Sequence, residues 1–364
     1  MKILFYFGHP AQYLFARETI RQLIERQHEV KLVIKTKDVL ETLLKNDGLS
    51  YENILTSTRG NSKLSIILSL VRRNISLFPI IFKFKPDLLI GGDATIAQLG
   101  RLLNINRITV TEDDYEVIKS LSDITNPFTQ SILAPTVCKV GKWNKKKIGY
   151  DGYMKLGYLH PKVFTFKKEI VDAYISTDKY VIIRLAKLTA HHDVGIKGID
   201  NLLLDKLIKI LENNSFKVLL SIEREIDKKY SSYIMDINPN DMHHFLNAAS
   251  LLICDSQSMS VEASILGTPS LRISDFIGKI SVLEELEHKY QLTFGIKPNN
   301  IDKLFSILNQ LLSIENLKEE FTRRKDTMLK DKINVSDFFT WFIENYPKSI
   351  SVMKKNPSYQ YKFK

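Results

Sequence analysis

The chain reads as two doubly wound α/β domains, and three observations predict this. It has 364 residues, more than one hydrophobic core usually serves. Its first half alternates short apolar runs with helical patterns, and so does its second. Between the two alternating regions the rhythm breaks at Val137 to Pro161, VCKVGKWNKKKIGYDGYMKLGYLHP. Alternation of this kind builds parallel strands joined by crossover helices.

In the first half Lys2 to Phe7 reads as a strand, Tyr13 to Arg26 as a helix and Glu29 to Lys35 as a strand. Asp87 to Ile90 is a buried strand, Ala94 to Leu103 a helix and Arg107 to Thr111 a strand. The Gly, Lys and Tyr content of the segment ending at Pro161 reads as interdomain. The second half then restarts, with strands at Tyr180 to Leu185, Lys217 to Ile222, Leu251 to Cys254 and Ser270 to Ile273. Helices are expected at Lys197 to Glu212, Asp241 to Ala249, Met259 to Leu266 and Val335 to Asn345. The expected division is residues 1–160, residues 161–333, and residues 334–364 as a helix packing back plus a basic tail. The two sheets are expected to face each other across a cleft.

Hydrophobic residues make up 44% of the chain, enough for packed interiors. Cys138 and Cys254 are the two cysteines, so no disulfide framework is implied and a reducing cytoplasm fits. The start, MKILFYFGHP, turns polar too early for a signal peptide. The longest apolar region, Leu64 to Phe82, is interrupted by Arg72, Arg73 and Asn74 and does not suit a bilayer span.

The net charge of +11 is unevenly spread. From Asn53 to Pro86 there is no acidic residue, while Arg59, Lys63, Arg72, Arg73, Lys83 and Lys85 are basic and interleaved with large apolar side chains. One reading is an amphipathic surface resting on anionic lipid headgroups; the other is a core-packed helix with solvated cations. Nucleic acid is the other usual partner of such charge, but no recognition-helix, RNP-like or zinc-finger pattern is present, so no nucleic-acid partner is expected.

The segment richest in chemistry is LLICDSQSMSVEASILGTPSLR, from Leu251 to Arg272. It reads as strand, polar loop, helix and strand. Asp255, Ser256, Gln257 and Ser258 therefore sit at a helix N-terminus, where unpaired N–H groups and a partial positive charge favour anions. Glu262 lies one turn beyond Ser258, placed to accept hydrogen bonds from a ribose diol. The chemistry suggested is nucleotide diphosphate binding; the bland alternative is an ordinary N-cap with a dipole-favourable Glu. Arg184 and Lys187 add charge for the same leaving group. His191, His192 and Asp193, with His243 and His244, invite a metal reading, but adjacent histidines do not converge on one ion without a third partner. No metal is expected, and His191 is assigned to hydrogen bonding with sugar or phosphate.

Taken together, FGHPAQYLFAR, GYDGYMKLGYLHP, RLAKLTAHHDVGIKGI and MHHFLNAASLLICDSQSMSVEASILGTPSLR resemble the GT-B superfamily, which contains many glycosyltransferases and the UDP-N-acetylglucosamine 2-epimerases. More closely, the chain resembles a little-characterised microbial family of predicted glycosyltransferases. The resemblance implies a GT-B fold, with two Rossmann-like domains and a nucleotide-sugar site in the second. Transferases of this fold often carry a His after the first strand, as base or orienting group, and His9 stands there. The other reading of His9 is a cap on the first helix. The epimerase likeness puts Asp93, in PDLLIGGDA, and Glu112, in TVTEDD, at catalytic carboxylates, His191 in a Thr-x-His motif and Glu262 at the ribose. The chain departs from the epimerases at His9-Pro10, where they have Arg-Pro, and at Gln257-Ser258, where they have paired glycines. It also lacks their later Arg-Pro-Glu.

The resemblance thus implies a metal-independent glycosyltransferase of surface polysaccharide or glycoconjugate synthesis. Its expected donor is a nucleotide sugar, a UDP-sugar above all, with no separate cofactor. The expected acceptor is a glycan or lipid-linked glycan, and the expected place is the cytoplasm at the inner face of an anionic membrane. The alternatives are a UDP-N-acetylglucosamine 2-epimerase-like enzyme and a non-catalytic nucleotide-sugar-binding partner.

Overall fold

A computed structural model of the chain describes residues 1–36, 39–55, 63–187 and 198–364. In chain order the elements begin β1 (Lys2–Phe7), α1 (Pro10–Glu25), β2 (Glu29–Ile34), α2 (Leu40–Asn46), β3 (Tyr51–Asn53), α3 (Lys63–Phe84), β4 (Leu88–Gly91), α4 (Ala94–Leu102) and β5 (Asn106–Val110). There follow α5 (Lys119–Thr125), β6 (Ser131–Pro135), β7 (Lys147–Tyr150), α6 (Leu156–Leu159), α7 (Lys168–Asp172), β8 (Tyr180–Leu185), α8 (Asn201–Asn213) and β9 (Lys217–Ile222). The remainder is α9 (Met242–Ala248), β10 (Leu251–Cys254), α10 (Gln257–Leu266), β11 (Ser270–Ile273), α11 (Ser281–His288), β12 (Thr293–Ile296), α12 (Ile301–Leu312), α13 (Leu317–Asp331), α14 (Val335–Glu344) and α15 (Lys348–Lys355). Two compact units result, one of Met1–Val163 with Lys332–Lys364, the other of Phe164–Asp331.

The first unit is a seven-stranded parallel sheet in the order β3-β2-β1-β4-β5-β6-β7. Its central strands β1 and β4 are nearly continuous apolar runs because both faces are covered by helices. Leu4, Tyr6, Val33 and Leu89 form one core cluster with Leu77 and Ile81 of α3 and Ile96 and Leu99 of α4. On α1, Phe15 meets Phe339 of α14 edge to face at 4.5 Å between ring centroids.

Residues 137–161, read from the sequence as interdomain, supply β7 and α6 to this unit. Two of their lysines, Lys146 and Lys147, bond backbone, and Lys147 Nζ donates to the carbonyls of Thr136 at 2.7 Å and Cys138 at 2.6 Å. The basic stretch Lys348 to Lys364 likewise folds, as α15 and a 3₁₀ stretch, Pro357–Phe363. Gln360 is buried there, and its side-chain oxygen accepts from the Asp151 N–H at 2.5 Å.

Helix α3 divides the basic apolar stretch between a buried and an exposed face. Leu77 and Ile81 are buried in the core, whereas Ile67, Leu68, Val71, Ile75, Phe78 and Phe82 face solvent. Arg73 is corrected from a surface cation to an internal one. It is buried, lies 3.5 Å from the Asp93 carboxylate and donates to Ser69 Oγ at 3.1 Å. Arg59 falls outside the described residues. Among the described residues no helix is long and apolar enough to cross a membrane.

The second unit is a five-stranded parallel sheet in the order β12-β11-β10-β8-β9. All four strands expected from its sequence have the observed bounds. The helix expected to begin at Lys197 begins at Asn201, capped by Asp200 through its acceptance of the Leu203 N–H at 2.8 Å.

Candidate functional site

In the second sheet the chain runs from β8 outward to β9, then returns to β10 on the other side of β8. Such a reversal leaves a crevice at the carboxyl ends of the two central strands, where open α/β sheets take their ligands. The loop after β10 is Asp255-Ser256, and α10 opens from it.

Asp255 works as a hub. It is 2% exposed, and its carboxylate accepts from the Ala186 N–H at 2.6 Å and the Ile199 N–H at 3.3 Å. The Arg224 guanidinium stands 3.1 Å away. Burial pushes the Asp255 carboxyl above the usual range, while the Ala186 N–H and Arg224 pull it back. Arg224 also donates to the carbonyls of Ala186 and Ile199. Asp255 therefore fixes the strand-end loops around the crevice and spends its oxygens doing so.

Ser256 is the N-cap of α10, with φ −100° and ψ 123°, its Oγ accepting from the Met259 N–H at 3.3 Å. The N–H groups of Gln257 and Ser258 remain at the helix mouth, where the dipole is positive. Helix α10 ends at Gly267, whose φ of +75° is left-handed and suits glycine. Glu262 is mostly covered, one turn along, and its carboxylate lies 3.6 Å from His243 Nε2 on α9. The sequence reading weighed His243 for a metal; the fold brings it to Glu262.

Arg272 is a residue that the sequence reading did not single out. It is fully buried on β11, and its guanidinium donates to the Gln257 side-chain oxygen at 2.8 Å and to Glu287 at 3.5 Å. Burial lowers its pKa, and Glu287 opposes that. Gly295 makes the room, since a Cβ there would stand 3.1 Å from the guanidinium. Register puts Arg184, Cys254 and Arg272 side by side across β8, β10 and β11, so both arginines project from one face. Arg184 donates to Ser221 Oγ at 2.7 Å and pairs with Glu223, whose other oxygen accepts the Lys187 N–H at 3.3 Å. The signal in the sequence was a lone cation inside a four-residue strand, SLRI. A charge in a buried run must be paired or used.

The first sheet also reverses, between β1 and β4. His9 follows β1 and Asp93 follows β4, so topology brings both to that end of the sheet. His9 is exposed and caps α1, its Nδ1 accepting the Ala11 N–H at 3.2 Å. Acceptance at Nδ1 assigns the neutral ring its proton at Nε2. Asp93 caps α4 by accepting the Thr95 N–H at 2.9 Å and faces Arg73 with its other oxygen. Glu112 follows β5, accepts the Met154 N–H at 2.5 Å and pairs with Lys155. His191, with His192 and Asp193, lies outside the described residues. Among the described residues no three His, Cys, Asp or Glu side chains converge on a metal-sized site.

Comparison with known proteins places this architecture. No family model matches the chain, and no curated protein matches it. Solved structures do. A UDP-GlcNAc 2-epimerase from Methanocaldococcus jannaschii superposes with TM-score 0.65 at 15% identity over 95% of this chain and 100% of that one. The Neisseria meningitidis UDP-GlcNAc 2-epimerase bound to UDP-GlcNAc gives 0.69 at 19% identity over 95% and 100%. The glycosyltransferase SsfS6 of Streptomyces sp. SF2575 gives 0.57 at 12% identity over 94% and 99%. The chain has two parallel-sheet α/β domains of the GT-B kind, a fold it shares with epimerases and glycosyltransferases alike.

Proposed function

We propose that this protein is a nucleotide-sugar-dependent glycosyltransferase, working without a resident metal or cofactor in surface-polysaccharide or glycoconjugate synthesis. Its donor is a UDP-sugar, and its acceptor is a glycan or lipid-linked glycan at the inner face of a membrane. The observation that carries the reading is the mouth of α10, where Ser256 is locked as cap, Gln257 is held by Arg272, and Glu262 stands one turn in. The diphosphate takes the N–H groups of Gln257 and Ser258, and Glu262, steadied by His243, takes the ribose diol. In the reaction the acceptor oxygen bonds to the anomeric carbon as the bond from that carbon to the phosphate oxygen breaks. The electron pair leaves on the diphosphate, where the helix mouth stabilises it. The acceptor proton passes to solvent or to a base the acceptor brings close; His9, a donor at Nε2, orients.

The epimerase reading is supported by the M. jannaschii and N. meningitidis structures, whose names state that activity. Transfer is favoured over it here because Asp93 and Glu112, the carboxylates that elimination and readdition would employ, serve as a cap facing Arg73 and as a partner of Lys155. A thermal-shift screen of nucleoside diphosphates and their sugars tests donor binding, since a ligand of the native state raises the melting temperature. A UDP-sugar should raise it, and Glu262→Gln should weaken that response by about tenfold in ligand concentration. No response to any nucleotide sugar would overturn donor binding. Loss of the C2 proton signal from UDP-N-acetylglucosamine incubated alone in deuterated water would overturn transfer in favour of epimerisation.

A further inference from the structure

Helix α3 carries an exposed apolar stripe that the fold leaves unused. Ile67, Leu68, Val71, Ile75, Phe78 and Phe82 are between 40% and 68% exposed. At about 100° per residue these positions fall within one side of the helix, and the buried Leu77 and Ile81 fall outside that stripe. Phe78 and Phe82 stack along it with ring centroids 6.4 Å apart. Large side chains in contiguous exposure mark a surface that another phase or molecule covers.

Charge selects the occupant. Arg72 and Lys83 are exposed and lie together along one flank of the stripe, Lys85 is exposed just beyond the helix, and α3 has no acidic residue at all. Arg73, the cation that would blur this geometry, is turned inward to Asp93. A second copy of the chain docking by a two-fold axis would set the same patch against itself. It would then crowd Arg72 and Lys83 against their counterparts with no carboxylate on the helix to pair them. An anionic bilayer interface satisfies both parts, taking the apolar stripe between acyl chains and the cations among headgroup phosphates.

We propose that α3 is a membrane-docking helix, lying in the plane of an anionic lipid surface with the Ile67–Phe82 stripe immersed. The inference deepens the membrane-borne acceptor of the proposed function and rests on that reading for its purpose, while the binding itself is measured without any nucleotide. The experiment is flotation of the full chain with vesicles of phosphatidylcholine alone, or with roughly one third phosphatidylglycerol. The protein should float with the anionic vesicles and at least about fivefold less with neutral ones. Arg72→Gln with Lys83→Gln should weaken partitioning by about 25-fold, taking about fivefold for each cation. Ile75→Ser with Phe82→Ser should weaken it by about tenfold or more. All four side chains are exposed, so circular dichroism and melting should match the parent protein. Equal partitioning onto both vesicle types, no partitioning, or a dimer in sedimentation velocity that Phe82→Ser dissolves would each overturn the docking helix. Flotation without any nucleotide-induced thermal shift would instead keep the docking helix and overturn the donor reading.

Discussion

His9 has a structural duty and, under the proposed function, a chemical one, and substitution can separate the two. As N-cap of α1 its Nδ1 accepts the Ala11 N–H, and losing a cap costs about 1 kcal/mol. Asn caps as well as His does but presents its amide elsewhere. His9→Asn should therefore keep the melting temperature and His9→Ala should lower it, while both lower transfer by about 10²-fold or more if His9 orients the acceptor. Equal activity in His9→Asn and the parent enzyme would confine His9 to capping. Lys318 offers a test of a different kind. Its ammonium donates to the carbonyls of Asn247 and Gly267 and to Thr268 Oγ1, with no carboxylate partner among the described residues, and burial lowers its pKa to about 8. From about pH 8 up to the ordinary lysine value of 10.5 the unfolded chain holds a proton that the folded chain has released. Stability against urea should rise with pH across that window, and Lys318→Met should remove the rise. Neither Lys318 nor Arg272 was legible beforehand. Each derives its role from register or from contacts far along the chain, Gln257 to Arg272 by register and Asn247 to Lys318 by packing. Asp255 and Ser256 were legible as a helix entrance because capping is local, though the division of labour between them was not.

Among the elements, long apolar runs were read well and short polar ones poorly. Strands β8, β9, β10 and β11 are largely buried apolar runs and keep the expected bounds. Strand β3 is only Tyr51–Asn53, too short to register, and β6 opens on Ser131 and closes on Pro135, residues that usually signal a turn. Strand β7 was hidden by Lys147 and Gly149, residues that usually signal a loop. Helix α3 was legible as amphipathic, but its rotation was not, because a helix with apolar residues on both sides does not declare which side is the core. Its two faces predict opposite responses to truncation. Leu77→Ala, in the cluster with Leu4 and Leu89, should cost about 2–5 kcal/mol. Phe82→Ala, on the exposed face, should stay within about 0.5 kcal/mol. Urea midpoints at a common slope measure both, and a reversed order would mean that the helix is turned the other way.

For the whole molecule, the decisive fact is that the first unit is built from two stretches of chain while the second is built from one. Lys332–Lys364 closes the first unit through contacts that no local pattern specifies. Tyr346 shares a hydrogen bond with Ser131 at 3.0 Å, Thr340 donates to Gln22 at 2.6 Å, and Ser336 donates to the Gly157 carbonyl at 2.8 Å. Phe338 and Phe339 are fully covered against Tyr150 and Phe15. Removing that stretch would expose several aromatic side chains at once, each worth about 1.5–3 kcal/mol of burial, against a total stability of about 5–15 kcal/mol. A chain ending at Asp331 should therefore lose the cooperative melting of its first unit. The fragment from Phe164 to Asp331 has its own sheet and core and should melt cooperatively alone. It contains Asp255, Ser256, Gln257, Ser258, Glu262, His243 and Arg272, so under the proposed function it should keep the thermal response to the nucleoside diphosphate. Circular dichroism melts with and without the diphosphate read both parts. A fragment that folds but gives no response would overturn the assignment of the diphosphate to the mouth of α10.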